Sequence, residues 1–195
     1  MSLPSRRIIG LTGGIATGKT TVTDYLSRQY QIPILDADFY AREAVKANSP
    51  ILNTIFERYG ASVCLPDGEL NRQVLGEIIF NDLDEKKWLE SQIHPYVRQQ
   101  FEQKLKQLNN PIVVFSIPLL FEAKLTHLVT EIWVVYCSSE QQIKRLIKRN
   151  QLTEEQALSR INSQIPLVEK VTQADVVLDN SSTLEILYQQ VDSYL

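Results

Sequence analysis

Residues 13–20 read GGIATGKT, which is a glycine, four free positions and then Gly18-Lys19-Thr20. That spacing is the pattern of a phosphate-binding loop. Backbone N–H groups of a glycine-rich turn face phosphate oxygens, a lysine ammonium adds a point charge for the β- and γ-phosphates, and the following hydroxyl reaches a Mg²⁺ ion. Lys19 is the candidate phosphate ligand and Thr20 the candidate metal ligand. Four of the seven glycines, Gly10, Gly13, Gly14 and Gly18, fall within residues 10–18. The loop contains no Gly-x-Gly followed by two residues and Gly, which argues against a dinucleotide fold.

Other residues could complete a reaction centre. Asp36 and Asp38 close the apolar run 32–38. In an open α/β sheet ligands bind beyond the carboxyl ends of the strands, so these carboxylates are candidates for chemistry or for the metal. The plainer reading is that an Asp caps the helix expected from about Phe39. Ser116 ends the apolar run 111–117, where many nucleotide-hydrolysing proteins carry a metal-binding Asp. Magnesium is then expected on Thr20, phosphates, water and a carboxylate from Asp36 or Asp38. Glu122 could contact substrate, cap a helix or face solvent. Arg145 and Arg149 share one helix face. With Glu154, Glu155 and Glu169 nearby in sequence, that face is either a solvated set of ion pairs or a lid whose arginines close over a triphosphate.

To position these groups the chain needs a strand at 6–12, the loop, and a helix with Val22, Tyr25 and Leu26 on one stripe. Further strands are expected at 32–38, 111–117, 131–137 and 175–178. Their near-continuous apolar character calls for a parallel sheet covered on both faces. Residues 40–108 read as mainly helical, with turns at 48–50 and 66–68. Ile93, Val97, Phe101 and Leu105 recur every four residues as one helix face, and Pro95 is expected in that helix's first turn. His94 then reads as a capping or packing residue. A last helix at 182–195 looks structural. The expected fold class is α/β: a three-layer P-loop kinase fold with a five-stranded parallel sheet flanked by helices, a helical substrate-binding insertion and a helical lid. The expected division is a nucleotide-binding core of 1–38, 109–145 and 173–195, an acceptor lobe of 39–108 and a lid of 146–172.

Composition narrows the function. The 195 residues carry a formal net charge of −3, so no general basic footprint for nucleic acid is present. No apolar run approaches the roughly 18 residues of a membrane span, and the opening MSLPSRR lacks the apolar centre of a secretory signal. Cys64 and Cys137 share no metal-ligand spacing with His94 or His127. A cytoplasmic protein is expected. A regulatory GTPase would carry an Asn-Lys-x-Asp segment, and none occurs. The layout is that of a small-molecule kinase. A nucleoside monophosphate kinase and a nucleotide-binding regulatory module are the rival readings.

Over residues 8–180 the sequence closely resembles the dephospho-coenzyme A kinases. The blocks that carry the likeness are LTGGIATGKT at 11–20, DAD at 36–38, GELNR at 68–72, IHP at 93–95, PLLFE at 118–122, and the spaced Gln164, Lys170, Ala174-Asp175 and Asn180. The resemblance implies transfer of the γ-phosphate of ATP to the ribose 3′-hydroxyl of dephospho-CoA, with Mg²⁺. It implies Asp38 as base or orienting group, and Lys19 and Arg149 as its catalytic companions. ATP is expected on Gly13, Gly14, Ile15, Ala16, Thr17, Gly18, Lys19, Thr20, Thr21 and Arg149. Thr12, Asp38, Arg72, His94 and Glu122 are expected on the acceptor side, and Asp36 near the metal. The partners implied are ATP and dephospho-CoA, without nucleic acid or membrane, for a monomer or weak homo-oligomer. The family loop usually has Gly and Ser where this chain has Ala16 and Thr17. Because alanine disfavours positive φ, position 16 is expected in an ordinary backbone region.

Overall fold

Strand β1 (Arg7–Gly13) buries Ile9, Leu11 and Thr12 completely, as a strand enclosed on both faces must. It lies at the centre of a parallel sheet completed by β2 (Ile34–Asp36), β3 (Ile112–Ser116), β4 (Glu131–Tyr136) and β5 (Val176–Asp179), in the order β2-β3-β1-β4-β5. The computed structural model describes residues 6–195. Residues 1–5, which enter the leader reading and the start of the first core segment, lie outside the described residues.

Among the described residues the α-helices are α1 (Lys19–Tyr30), α2 (Ala37–Ala44), α3 (Pro50–Tyr59), α4 (Arg72–Asn81), α5 (Leu83–Gln107), α6 (Ser139–Asn150), α7 (Glu154–Asn162), α8 (Leu167–Val171) and α9 (Leu184–Tyr194). The chain divides into two compact units. One is the described part of Met1–Asp36 with Asn109–Leu195, and the other is Ala37–Leu108.

In the first unit α1 and α9 cover one sheet face. Val22, Leu26, Leu187 and Val191 pack there with Ile9, Leu11, Trp133, Val135 and Leu178. The rings of Tyr25 and Tyr188 stack with centroids 4.0 Å apart. α8 packs against β4. Register then fixes the carboxyl end of the sheet: Ser116 pairs with Leu11 on one side and with Asp36 on the other. The sheet itself therefore sets Asp36 and Ser116 side by side.

In the second unit α2, α3, α4 and α5 enclose their own core of Ala44, Val45, Leu52, Ile55, Val63, Leu70, Leu75 and Leu89. Ser49 caps α3 with Pro50 in its first turn, and Asn71 caps α4, accepting from Val74 N at 3.2 Å. Two expectations are corrected here. β2 ends at Asp36, and Asp38 stands in the first turn of α2 instead of on the strand. Pro95 lies inside α5, not in its first turn. The helix starts at Leu83 because Asp82 Oδ1 accepts from Asp84 N and Glu85 N at 2.8 and 3.1 Å. An interior proline costs roughly 3 kcal/mol. Burial of Leu89, Val97 and Phe101 on the same helix offsets that cost, at roughly 1.5–3 kcal/mol each. His94 is consequently a mid-helix residue and caps nothing.

Candidate active site

The loop between β1 and α1 is held from behind by side chains that take its carbonyl oxygens. Lys170 Nζ lies 3.5 Å from Gly13 O. Thr17 Oγ1 donates to Gly14 O at 2.9 Å, and Gln142 Nε2 donates to Ile15 O at 2.8 Å. Asn180 Nδ2 donates to Thr17 O at 2.8 Å, with Arg145 Nη1 at 3.4 Å from the same oxygen. In a trans peptide the N–H points opposite to the C=O. The amides of Ala16 and Gly18 therefore face away from Gln142 and Asn180, in the sense a phosphate-receiving nest requires. Two loop amides are taken by the protein instead: Ile15 N donates to Gln164 Oε1 at 3.0 Å, and Thr17 N to Gly14 O.

Sequence chemistry explains the shape. A Cβ at position 13 would come within 2.6 Å of Val135 O, so only glycine lets β1 and β4 run this close. Gly18 caps α1 at φ 106, with no side-chain cap, and the helix has no acidic residue in its first turn. Its N-terminal amides and positive dipole end suit an anion. Ala16 does not take the ordinary backbone expected of it. It has φ 63, in the left-handed region. The turn that returns Thr17 N to Gly14 O at 3.3 Å requires that conformation, and alanine accepts it at about 1–2 kcal/mol.

At the end of the sheet, Lys19 Nζ donates to Ser116 Oγ at 2.5 Å, and Ser116 Oγ donates to Asp36 Oδ2 at 2.7 Å. Lys19 and Asp36 are themselves 3.7 Å apart, as an ion pair. Thr20, next on α1, is exposed. The serine that stands in place of an Asp thus links the loop lysine to the carboxylate of the neighbouring strand.

Other expected site residues fall in different surroundings. Thr12 is fully buried and donates to Pro118 O at 3.0 Å, so it faces the protein interior. Glu122 Oε1 pairs with Lys170 Nζ at 2.7 Å and accepts from Ile165 N at 3.1 Å. Arg145 Nη2 donates to Asn180 O at 2.9 Å, so its guanidinium ties the loop to the end of β5. Arg149, one turn further along α6, is exposed and donates Nε–H to Asn150 Oδ1 at 2.9 Å. Cys137 is buried, and burial pushes its thiol up.

Within the helical unit, Asp38 lines a cavity of about 330 Å³. Arg42 and Arg72 share that lining, above an apolar floor that includes Leu70, Leu75 and Ile93. Arg72 is there because the Asn71 cap makes it the first residue of α4. Half-buried His94 follows Ile93 on α5. Sequence reasoning missed Gln142, Asn180 and Lys170 as holders of the loop, and it missed Arg42. Gln142 lies in an ordinary polar run and offered no signal. Asn180 and Lys170 were visible only as spaced residues in the family likeness.

The sequence profile of the dephospho-CoA kinases matches residues 7–185. The chain belongs to the dephospho-CoA kinase family. A dephospho-CoA kinase of Trichormus variabilis is 61% identical over 188 residues, 96% of each chain. A crystal structure from Thermus thermophilus superposes with a TM-score of 0.85 at 32% identity, covering 97% of this chain and 96% of that one. The dephospho-CoA kinase of Campylobacter jejuni gives 0.69 at 28%, covering 96% and 94%. As a member of the family, the protein is an ATP-dependent kinase of dephospho-CoA, which is the final step of coenzyme A synthesis. Among the described residues no helix is long and apolar enough to cross a membrane.

Proposed function

We propose that this chain carries the γ-phosphate of ATP to the ribose 3′-hydroxyl of dephospho-CoA with Asp38 as the group that accepts or orients the hydroxyl proton. Lys19 and the loop 13–20, with the amides of Ala16 and Gly18 turned away from the side chains that hold its carbonyls, bind the phosphates. The observation that carries this reading is the loop whose carbonyls are taken from behind while Lys19 stands at the open N-terminus of α1. Phosphoryl transfer asks the protein mainly for positioning and charge stabilisation, and these residues supply both. Asp38, Arg42 and Arg72 together suit an anionic acceptor with a hydroxyl to be activated, and His94 directly follows Ile93 of the same lining. Glu122 serves the frame, since Lys170 and Ile165 occupy its Oε1. Residues 39–108 form the acceptor lobe, and 146–172 form a lid that brings exposed Arg149 to the triphosphate.

The donors present fit Mg²⁺. The Thr20 hydroxyl and the Asp36 carboxylate are hard oxygen ligands, and this ion is usually bound through one or two protein groups with substrate phosphates. When bound it neutralises charge on the transferring phosphoryl group. Thr20 and Asp36 would hold it directly or through water. The protein acts in the cytoplasm as a monomer or weak homo-oligomer, with no nucleic-acid or membrane partner. The test supplies purified protein with ATP and Mg²⁺ and offers dephospho-CoA, nucleoside monophosphates or no acceptor while ADP is followed. Release that depends on dephospho-CoA is expected. Equal release with monophosphates, or without acceptor, would overturn the assignment.

A further inference from the structure

One charged pair behind the phosphate loop has no part in the chemistry described so far. Lys170, on the five-residue helix α8, is fully buried. Its ammonium pairs with Glu122 Oε1 at 2.7 Å and reaches Gly13 O, the first carbonyl of the loop, at 3.5 Å. The same Glu122 oxygen accepts from Ile165 N, and Gln164 Oε1 accepts from Ile15 N. The segment 164–170 is therefore fastened to the loop at Gly13 and Ile15, and to the segment after β3 at Glu122. Glu122 Oε2 is buried with no hydrogen-bond partner among the described residues. Burying an ammonium and a carboxylate is costly, and apolar side chains of the same size often serve stability as well or better. A charge kept in that place invites a use other than packing.

We propose that Lys170 is a positioning residue for ATP: held by Glu122, its ammonium fixes the Gly13 carbonyl and sets a positive charge behind the peptide where the phosphate loop begins. It touches neither substrate and acts through the loop backbone. The other holders of the loop, Gln142 and Asn180, are neutral amides, and Arg145 donates to Thr17 O near the loop's far end. Lys170 is thus the charged group that orients the loop where the chain leaves β1. The proposal rests on the reading of this loop as the ATP site.

The decisive variant is the neutral pair E122Q/K170M, which removes both charges at near-constant volume and leaves no unpaired buried ion. ATP binding is measured by calorimetry on the full chain, alongside the melting temperature and the KM for dephospho-CoA. ATP affinity should fall by about tenfold, the worth of a hydrogen bond to a charged group. The KM for dephospho-CoA should stay within about threefold on the same reasoning. Wild-type ATP affinity in the folded double variant would overturn the proposal. So would parallel losses for both substrates with a lowered melting temperature, the mark of a purely structural pair. If the double variant does not fold, K170M must lose more ATP affinity than E122Q, which keeps the ammonium, and equal or reversed losses overturn it. ATP binding is read without acceptor. A failure to phosphorylate dephospho-CoA would therefore count against the proposed reaction and not against this positioning role.

Discussion

Lys19 Nζ donates to Ser116 Oγ at 2.5 Å, and that hydroxyl in turn donates to Asp36 Oδ2 at 2.7 Å. One serine therefore holds a cation and an anion at the end of the sheet. Ser116→Ala leaves Lys19 and Asp36 as a 3.7 Å pair with nothing between them. The change should lower kcat/KM for ATP by about tenfold, which corresponds to roughly 1.4 kcal/mol for a hydrogen bond to a charged group. Steady-state ADP release checks it, and a wild-type value would remove Ser116 from the site.

Asp38 stands exposed in the first turn of α2, where a carboxylate can serve the helix or the reaction. Asp38→Asn keeps the shape and removes the proposed base. Loss of a positioned base should cost about 10²–10⁴-fold in kcat, while calorimetric ATP affinity stays near that of the unaltered protein. Full turnover in the variant would reduce Asp38 to a helix-terminal residue.

Ala16 at φ 63 is the strained point of the loop. A β-branched residue is a poorer guest in the left-handed region than alanine. Ala16→Val should therefore cost roughly 1–3 kcal/mol of stability and raise the KM for ATP. Thermal unfolding and ATP kinetics measured together test this. Unchanged values in both would show that the loop relaxes to another conformation.

Glu85 ties α3 to α5 through Arg58 Nε at 2.7 Å, Arg58 Nη2 at 2.8 Å and Tyr59 OH at 2.5 Å. The Arg58 hydrogen bond first, and then that of Tyr59, hold its carboxyl down to about 2. A depressed folded value contributes stability that is present above the unfolded value near 4.5, and that is lost as pH falls through about 2. Between those limits the wild-type urea midpoint should fall with acid more steeply than that of Glu85→Gln. Parallel acid profiles for the two proteins would show that the pair does not couple to folding.

The parts of this fold that were legible are those where chemistry leaves no choice of residue. A phosphate loop needs its glycines and Lys19 at fixed spacing, and a strand enclosed on both faces must be apolar, as 112–115 and 132–135 are. Ala16 misled because the rule that alanine avoids positive φ is a preference of roughly 1–2 kcal/mol, which a tight turn can override. Pro95 misled for a similar reason. The four-residue stripe was visible, but the start of α5 depended on Asp82, a cap well upstream of it. Gln142 and Lys170 could not have been assigned in advance, because their roles arise from segments far apart in sequence that meet only in the folded chain.

The sheet has a further consequence for how the chain reaches its native state. β1 pairs with β3 and β4, and Arg7 sits beside Ile112 only after the whole of Ala37–Leu108 has been passed over. Closing so long a loop carries an entropic cost that grows with its length, and distant pairings of this kind slow folding. The interposed helices, by contrast, close their core within one uninterrupted stretch. The helical segment should therefore acquire structure first, with the phosphate loop among the last parts to be set. Pulse-labelled hydrogen exchange would then show α5 amides protected before those of β1, and the reverse order would refute this sequence of events.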